Sequence, residues 1–321
     1  MWYTIGLASV TVCNGCLQKM SDRTLTAEIA TKFINSPDDV DLRGFQSIDE
    51  DAAAVLATAD LRKHRDQKNF NDGISLNGLT SLTKRAAKEL AKYKGNLYLN
   101  GLTTLPDEIA QVLAKHKGSS LDLDGLTTLS QEAARALAQS GQHISLNGLT
   151  DLSDELAKIW SQHTGALSLN GLATLSDTAA KALAKHQGHC LSLDGVKALS
   201  DSLAMVLGQH ERSLSLNGLT TLSEAAAVAL SRYEEWGWNL YLNGLITLSD
   251  GAAAALAQSA KHLHLNGLMT LSDAAAEALA KYEGLGLSLN GLTTLSAKAA
   301  KILLGNHSCS TGLNLEEIAE S

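Results

Sequence analysis

The strongest constraint on this chain is a hexapeptide, LxL[N/D]G[L/V] or a variant beginning with isoleucine, that occurs ten times. Successive copies are separated by 23 or 24 residues, with one interval of 26. The glycines of the ten copies are Gly78, Gly101, Gly125, Gly148, Gly171, Gly195, Gly218, Gly244, Gly267 and Gly291. A fixed period of this size indicates a solenoid, in which each repeat buries its apolar face by stacking on its neighbours. The ligand stays open, because a few surface residues choose the target of a solenoid.

The first half of one repeat predicts a strand and a turn. Residues 121 to 124 alternate leucine and aspartate over a span too short for a helical period, which indicates a half-buried strand. Gly125 follows an aspartate, and Asn-Gly and Asp-Gly pairs favour turns because glycine tolerates a positive φ. We therefore expect the repeat glycines at positive φ, with Leu126 directed inward beneath the strand.

The second half of the repeat predicts a helix of about ten residues. Ser130 is a favourable N-cap, and Glu132 places negative charge in the first turn, where the helix dipole stabilises it. The alanines and leucine of residues 133–138 have the spacing of one apolar helix face. A left-handed residue is expected at the end of each helix, at Gly141 and its counterparts Gly95, Gly118, Gly165, Gly188 and Gly284.

These elements predict the architecture. A strand, a turn, a helix and a return within 23 residues leave room only for a right-handed crossover between parallel strands of one sheet. Adjacent strands stand about 4.8 Å apart and packed helices about 8 to 10 Å, so the stack must curve. The sequence predicts an α/β fold, a curved solenoid with a parallel β-sheet on the concave face and α-helices on the convex face.

The repeat resembles the leucine-rich repeat family from about residue 73 to the C-terminus. The resemblance lies in the LxL strand, the turn, the inward leucine and the helix. The family's usual string is LxxLxLxxNxL, whereas here asparagine follows the second strand leucine directly, as in Leu99, Asn100 and Gly101. Leucine, for example Leu102, stands where the family's buried asparagine ladder would fall. Alanine-rich helices and near-identical repeats suggest a bacterial variant, and the resemblance implies an interaction scaffold.

The chain divides into an irregular start and a regular body. Residues 1–72 are predicted to form an N-terminal cap with one degenerate repeat, at Val40, Leu42 and Phe45, and an inserted polar loop that includes Arg62 to Asp66. Residues 73–321 are predicted to form ten regular repeats and a C-terminal capping strand at residues 313–315. The capping ends are expected because terminal repeats have no neighbour on one side.

Charge and hydropathy argue against a nucleic-acid-binding protein and against a membrane-spanning one. A net charge of −8 and a pI near 5.7 argue against a nucleic-acid surface, which needs clustered Lys and Arg. No segment reaches membrane-spanning length, which predicts a soluble protein. Residues 1–17 lack a preceding basic residue and are interrupted by Thr, Ser and Gly, so we interpret them as a cap strand and not a signal peptide.

The four cysteines are too few and too scattered for a disulfide framework. Cys13 and Cys16 form one CxxC pair, but a zinc site needs a second ligand pair. Cys190 begins a strand and Cys309 is placed in a terminal loop. The composition slightly favours the cytoplasm, with secretion left open.

No motif for catalysis is present. The chain lacks GxSxG, HExxH, Walker-type and GxGxxG patterns, so we predict no catalytic residue, metal or cofactor. His116, His163, His186 and His210 recur at one position, which Tyr93, Tyr233 and Tyr282 occupy in other repeats. We interpret this position as helix-end packing, where a cation or polar ring suits the negative end of the helix.

The sheet face holds the candidate binding residues. Serine is the usual residue between the two strand leucines, and departures from it mark candidates for selection by a partner. Tyr98 with Asp122 is one departure, and Tyr241 with His264 is the other, beside Asn239, His262 and Trp236. Large amphipathic rings on a rigid sheet are typical of protein-binding hot spots.

We therefore predict a non-enzymatic scaffold that binds a protein or peptide on its concave sheet. Recognition of a polar small ligand or glycan by the serine- and asparagine-lined face is the alternative, and an enzyme built from end loops is a third possibility. His262 and His264 share one face and would be a metal clamp only with a further ligand such as Asn239 or Tyr241.

Overall fold

The computed structural model describes residues 23–61, 73–232, 238–259, 262–306 and 308–320. Four features discussed above lie outside the described residues: the predicted cap strand of residues 1–17 with the Cys13/Cys16 pair, the polar run from Arg62 to Asp66, Tyr233 and Trp236.

Short strands and helices alternate throughout the described part of the chain. The strands are β1 (Thr24–Leu25), β2 (Ser47–Ile48), β3 (Gly73–Ser75), β4 (Asn96–Tyr98), β5 (Ser120–Asp122), β6 (His143–Ser145), β7 (Leu167–Ser168), β8 (Cys190–Ser192), β9 (Ser213–Ser215), β10 (Asn239–Tyr241), β11 (His262–His264), β12 (Gly286–Leu289) and β13 (Cys309–Thr311). The helices are α1 (Ala27–Asn35), α2 (Glu50–Ala57), α3 (Lys84–Leu90), α4 (Asp107–Leu113), α5 (Gln131–Ala138), α6 (Asp154–Trp160), α7 (Asp177–Leu183), α8 (Asp201–Leu207), α9 (Glu224–Ser231), α10 (Asp250–Leu256), α11 (Asp273–Leu279), α12 (Ala297–Leu304) and α13 (Leu315–Ala319).

The strands form one long parallel sheet and one small one. β3 to β13 pair in sequence order in an 11-stranded sheet, and β1 pairs with β2 in a separate two-stranded sheet. Equivalent residues of successive repeats lie opposite each other, as Leu121 lies opposite Ile144 and Leu97 opposite Leu121. This topology confirms the predicted α/β solenoid.

The core lies between the sheet and the helices and runs through the whole stack. In one repeat Leu121, Leu123 and Leu126 are fully buried from the strand side, and Ala134 and Leu137 from the helix side. These residues belong to one continuous cluster that extends through the repeats. Each repeat therefore contributes one layer of a shared core, as stacking requires.

The helix caps also connect successive repeats. Ser130 Oγ accepts the N–H of Ala133 at 2.9 Å, which confirms the predicted N-cap, and donates to Asp107 Oδ1 of the preceding repeat at 2.5 Å. The helices α3 to α12 have seven or eight residues and not about ten, because the return to the next strand takes up more of the repeat than expected.

The repeat glycines play a different role from the one expected. None of the ten has φ in the left-handed region. A Cβ added at Gly125 would overlap Asn100 O and lie 2.7 Å from Leu102 O, both in the preceding repeat. The glycine is therefore needed because the backbones of adjacent turns approach too closely for a side chain.

Three of the glycines that follow the helices, Gly118, Gly165 and Gly188, also lie too close to the preceding repeat for a side chain. Helix α5 ends at Ala138, and the C-cap residue Gln139 has a right-handed φ of −76°. The left-handed φ expected at Gly118, Gly141, Gly165 and Gly188 is not observed. A Cβ at Gly165 would overlap Gln142 O of the preceding repeat. Close packing between repeats therefore explains the glycine at Gly118, Gly165 and Gly188, whereas Gly141 has room for a Cβ.

Both ends differ in detail from the expected elements. Leu42–Gly44 forms a 3₁₀ turn and not a strand, because Asp41 Oδ1 accepts the N–H of Arg43 at 3.0 Å and holds the chain locally. The last strand is Cys309–Thr311, so Cys309 is not in a loop. Residues 315–319 form a helix with Asn314 as its N-cap, which replaces the capping strand expected at residues 313–315.

A candidate interaction surface on the sheet face

The asparagines and aspartates that follow the strands form a ladder between repeats. The side-chain oxygen of every member except the last accepts the backbone N–H of the next member at 2.8–3.0 Å. The members are Asn77, Asn100, Asp124, Asn147, Asn170, Asp194, Asn217, Asn243, Asn266 and Asn290. Local rules predict that an Asn or Asp before glycine bonds the backbone of its own turn. That prediction is wrong here, since these side chains join consecutive repeats.

Serines of the sheet face are bonded to this ladder. Ser145 Oγ donates to Asp124 Oδ1 and Ser215 Oγ to Asp194 Oδ1, each at 2.6 Å. Ser192 and Ser288 donate at 2.7 Å to Asn170 and Asn266. Hydroxyl groups that looked available in the sequence are thus engaged inside the sheet, where they reinforce the register of the strands.

Tyr241 and His264 form a stacked pair on neighbouring strands. Their ring centroids lie 4.4 Å apart with an interplanar angle of 15°. His264 Nε2 lies 3.0 Å from Asn239 Oδ1, which orients the imidazole. Burial lowers the pKa of His264, and the neighbouring His262 lowers it further. The structure thus brings Asn239, Tyr241 and His264 together as one neutral, ordered cluster.

His262 turns away from this cluster. A Cβ added at Gly286 on β12 would lie 2.8 Å from His262 Nδ1, so the imidazole lies over that glycine. His264 is directed to the opposite neighbour, β10, where it contacts Asn239 and Tyr241. The two imidazoles therefore do not converge as the metal clamp would require. Among the described residues, no group of three or more His, Cys, Asp or Glu could hold a metal ion.

Tyr98 and Asp122 lie opposite each other on β4 and β5 but do not act as one cluster. The Tyr98 ring lies over Gly73 on the other side, because a Cβ on that glycine would overlap it. Asp122 Oδ1 accepts the Ser120 hydroxyl at 2.5 Å. Burial raises the pKa of Asp122, while the Ser120 hydrogen bond and His143 lower it.

The two groups of predicted residues lie far apart on the sheet. Strands β6 to β9 separate β5 from β10, which gives five strand steps. At about 4.8 Å per step the separation is about 24 Å. A single short peptide side chain cannot reach both groups, so they are separate contact points.

Two exposed apolar residues in the same two repeats as Tyr241 and His264 were missed in the sequence. Ile246 and Met269 are 52% and 54% exposed and follow the inward leucines of these same two repeats. Threonine holds this position in six of the other eight repeats, with Ala173 and Lys197 in the remaining two. A comparison of this column would have revealed them, since they are the only apolar residues in it larger than alanine.

The opposite end of the same strands carries an aromatic residue. Trp238 precedes β10, and the Arg212 guanidinium carbon lies 4.9 Å from its ring centroid, a cation–π contact. Departures from the common repeat therefore run across the sheet in two adjacent repeats. We name this surface the β10–β11 patch: Trp238, Asn239, Tyr241, Ile246, His262, His264 and Met269.

The recurring histidines His116, His163, His186 and His210 are buried. Ring centroids of His163 and His186 lie 6.0 Å apart, and those of His186 and His210 5.9 Å. Burial lowers the pKa of His116 and His163, and burial with two neighbouring histidines lowers the pKa of His186 to about 3. The rings do pack at helix ends as expected, since His163 Nδ1 lies 3.1 Å from Ala138 O and His210 Nδ1 lies 3.4 Å from Ala184 O. Of the two expected forms, a cation or a polar ring, the lowered pKa values favour the polar ring.

This burial predicts acid destabilisation. His186 titrates near 6.5 when unfolded and at about 3 when folded, so its contribution to stability is complete above about pH 6.5. It is lost as pH falls towards 3, by ~1.4 kcal/mol per pH unit, because the unfolded chain binds the proton first. We expect the His186→Ser variant to show a shallower loss of urea stability from pH 7 to 4.5. Ser140 and Ser259 occupy this position naturally, and an unchanged slope would contradict the assignment.

The described residues contain no helix long and apolar enough to cross a membrane.

No family model matches the chain, and no curated protein matches it. Two solved structures are similar in fold. An internalin from Listeria monocytogenes is 13% identical with a TM-score of 0.42, over 89% of this chain and 86% of that chain. The Rad7 and Elc1 complex in yeast is 16% identical with a TM-score of 0.44, over 88% and 79%. The chain's own periodicity and its parallel sheet with one helix per strand define its fold as a solenoid of the leucine-rich-repeat type.

Proposed function

We propose that this protein is a non-enzymatic scaffold that binds a protein or peptide on its sheet face, chiefly through the β10–β11 patch. The observation that carries the proposal is the stacked Tyr241–His264 pair, with ring centroids 4.4 Å apart. The common residue at both positions is serine, so this pair replaces two small hydroxyl groups with two large rings. Exposed rings of this kind supply contact area at low entropic cost.

The patch is ordered before any partner binds. Tyr241 is fixed by stacking and His264 by Asn239, and both lie on strands held in register by β9 and β12. A ligand therefore does not have to order flexible side chains, which is the main cost that preorganisation removes. Such a surface suits the centre of an interface.

The chemistry of the patch indicates the kind of partner. Its seven residues carry no formal charge when the histidines are neutral, and the pKa of His264 is lowered. Ile246 and Met269 add exposed apolar surface at one end and Trp238 lies at the other. We infer a partner segment with apolar or aromatic side chains and polar groups between them, lying along the strands.

Restoring the common residues tests this proposal. The variant Tyr241→Ser/His264→Ser should fold normally, because serine occupies this position in six other repeats. We expect it to bind the partner at least about tenfold more weakly, since loss of central aromatic contacts costs more than 1 kcal/mol. The partner is captured from native cells with the wild-type chain, purified, and titrated against both proteins by calorimetry.

A matched control separates the patch from the rest of the face. Tyr98→Ser makes the same change on β4, six strand steps or about 29 Å away, and should reduce affinity less than the double variant. Ile246→Thr/Met269→Thr restores the common residue of that column and should weaken binding several-fold. Equal affinity of wild type and Tyr241→Ser/His264→Ser, with unchanged circular dichroism, would disprove the role of the patch.

Tyr98 and Asp122 are proposed as a second contact point for an extended partner. They require a partner that spans about five strand spacings, or about 24 Å. A partner that loses affinity in Tyr241→Ser/His264→Ser and again in Tyr98→Ser would bridge both points. The alternative of glycan recognition by the serine and asparagine lining is less favoured, because Ser145, Ser192 and Ser215 donate to the ladder.

A further inference from the structure

A polar groove lies at the N-terminal ends of the strands, away from the β10–β11 patch. Its volume is about 770 Å³, within the range of small-molecule sites. Residues from four repeats meet in it, and those that matter here are Asn96, Ser119, Gln142, His143 and His189. The sequence did not indicate it, since helix ends and strand starts of different repeats form the walls.

The groove lining has no Lys, Arg, Asp or Glu, although the chain as a whole is rich in these residues. Its twelve lining residues are asparagine, glutamine, serine, histidine, alanine and glycine, without a Lys, Arg, Asp or Glu. The whole chain has 26 basic and 34 acidic residues, so this composition is a local feature. An anionic ligand would find no cation in the lining to pair with, and a cationic ligand no carboxylate. The lining therefore suits a neutral ligand.

Gln142 in the groove wall lacks the partners that a buried amide requires. Its residue is 8% exposed, and neither its Oε1 nor its Nε2 has a hydrogen-bond partner within the described residues. An unsatisfied buried polar group costs about 1–3 kcal/mol. The same column holds the smaller residues Ser119 and Gly165 in the two adjacent repeats, and larger residues such as His189 and Arg212 further along the chain. The Gln142 amide is therefore free to hydrogen-bond a ligand without breaking a bond within the described part of the protein.

The other polar groups fit the same kind of ligand. Ser119 Oγ donates to Asn96 Oδ1 at 2.9 Å and keeps its lone pairs as acceptors. His143 Nε2 lies 3.1 Å from Ser168 Oγ, and His189 is exposed. Amides, hydroxyls and imidazoles offer both donors and acceptors. A ligand hydroxyl also acts as both, so several hydroxyls in a row match this wall better than a group that only donates or only accepts.

We propose that this groove binds a neutral polyhydroxyl ligand, a monosaccharide or short glycan, with the Gln142 amide as its principal hydrogen-bonding group. Both amide atoms are covered in the structure, so binding requires the Gln142 side chain to rotate and present its oxygen and nitrogen to vicinal hydroxyls. The site is separate from the protein-binding patch, so either function can fail without the other.

Saturation-transfer NMR on the full chain tests the proposal with three sets of probes. They are neutral mono- and disaccharides, the matching uronic acids and amino sugars, and simple primary amides. We expect transfer to at least one neutral saccharide and little transfer to its charged counterparts. No transfer to any saccharide, or stronger transfer to the amides or the charged sugars, would overturn the proposal.

Two variants locate the site. Gln142→Leu removes the amide at similar volume and is expected to raise Kd at least tenfold without lowering the melting temperature, because no protein hydrogen bond is lost. His189→Ala, at an exposed position, should weaken binding without affecting folding. Gln209→Leu, on the surface elsewhere, is the control and should leave Kd unchanged. Unchanged affinity in both Gln142→Leu and His189→Ala would place any saccharide outside this groove.

Discussion

Gly188→Ala is expected to lower the free energy of unfolding by roughly 3 kcal/mol, a large effect for the addition of one methyl group. The new Cβ would overlap Gly165 O of the preceding repeat and the His186 ring. The carbonyl belongs to backbone on which the next repeat stacks, so it cannot move without opening the stack. The cost is therefore larger than that of a flexible side chain giving way.

Gly141→Ala is the matched comparison. Its nearest neighbour for an added Cβ is Thr164 Oγ1 at 3.7 Å, an ordinary contact, and its φ is not left-handed. The change should leave stability unchanged or raise it by up to about 1 kcal/mol, because alanine restricts the unfolded chain. Urea denaturation followed by circular dichroism compares the two variants. Similar midpoints would show that close approach between repeats does not select glycine.

Asn266→Ala is expected to lower the free energy of unfolding by about 2 kcal/mol, because it removes one rung of the ladder. Asn266 Oδ1 accepts the N–H of Asn290 at 2.8 Å and the Ser288 hydroxyl at 2.7 Å. Alanine leaves both donors without this acceptor. The loss should extend to the C-terminal repeats, since the missing bonds join them to the rest of the stack.

Two further variants separate the ladder from general effects of the substitution. Asn266→Asp keeps the accepting oxygen, and aspartate occupies the column naturally at Asp124 and Asp194, so most of the stability should return. Asn290→Ala removes the last member, whose side chain donates only to Ser288 among the bonds described here, and should cost less. Chemical denaturation provides the values, and hydrogen exchange of residues 286–311 shows where they arise. Equal losses in Asn266→Ala and Asn290→Ala would contradict the ladder.

The repeat architecture was accessible from the sequence because its signals are local. The alternation around Leu121, the N-cap at Ser130 and the apolar stripe to Leu137 each depend on residues close in the chain. The period then dictated how such units combine, since no single repeat can bury its own leucines. The departures at Tyr241 and His264 were visible for the same reason, as differences in an otherwise constant column.

Contacts between repeats could not be predicted from such local signals. Local rules assigned Gly125 and Gly188 to backbone conformation, whereas the observed cause is a carbonyl 23 to 25 residues earlier. Local rules also placed the Asn266 side chain in its own turn, whereas it bonds 24 residues ahead. The neutral state of His186 depends on neighbours at the same point of adjacent repeats.

The solenoid, its strands and its helices could be predicted from the sequence, because periodicity and capping depend on residues that are close in the chain. The side-chain contacts and the exposure of residues on the stacked surfaces followed from tertiary packing alone. Packing bonded the serines to the ladder and turned His262 away from His264. It also left Ile246 and Met269 exposed in the repeats of the aromatic pair, and left the Gln142 amide without a partner in the groove. These outcomes depend on distances across repeats, which are set when the repeats pack.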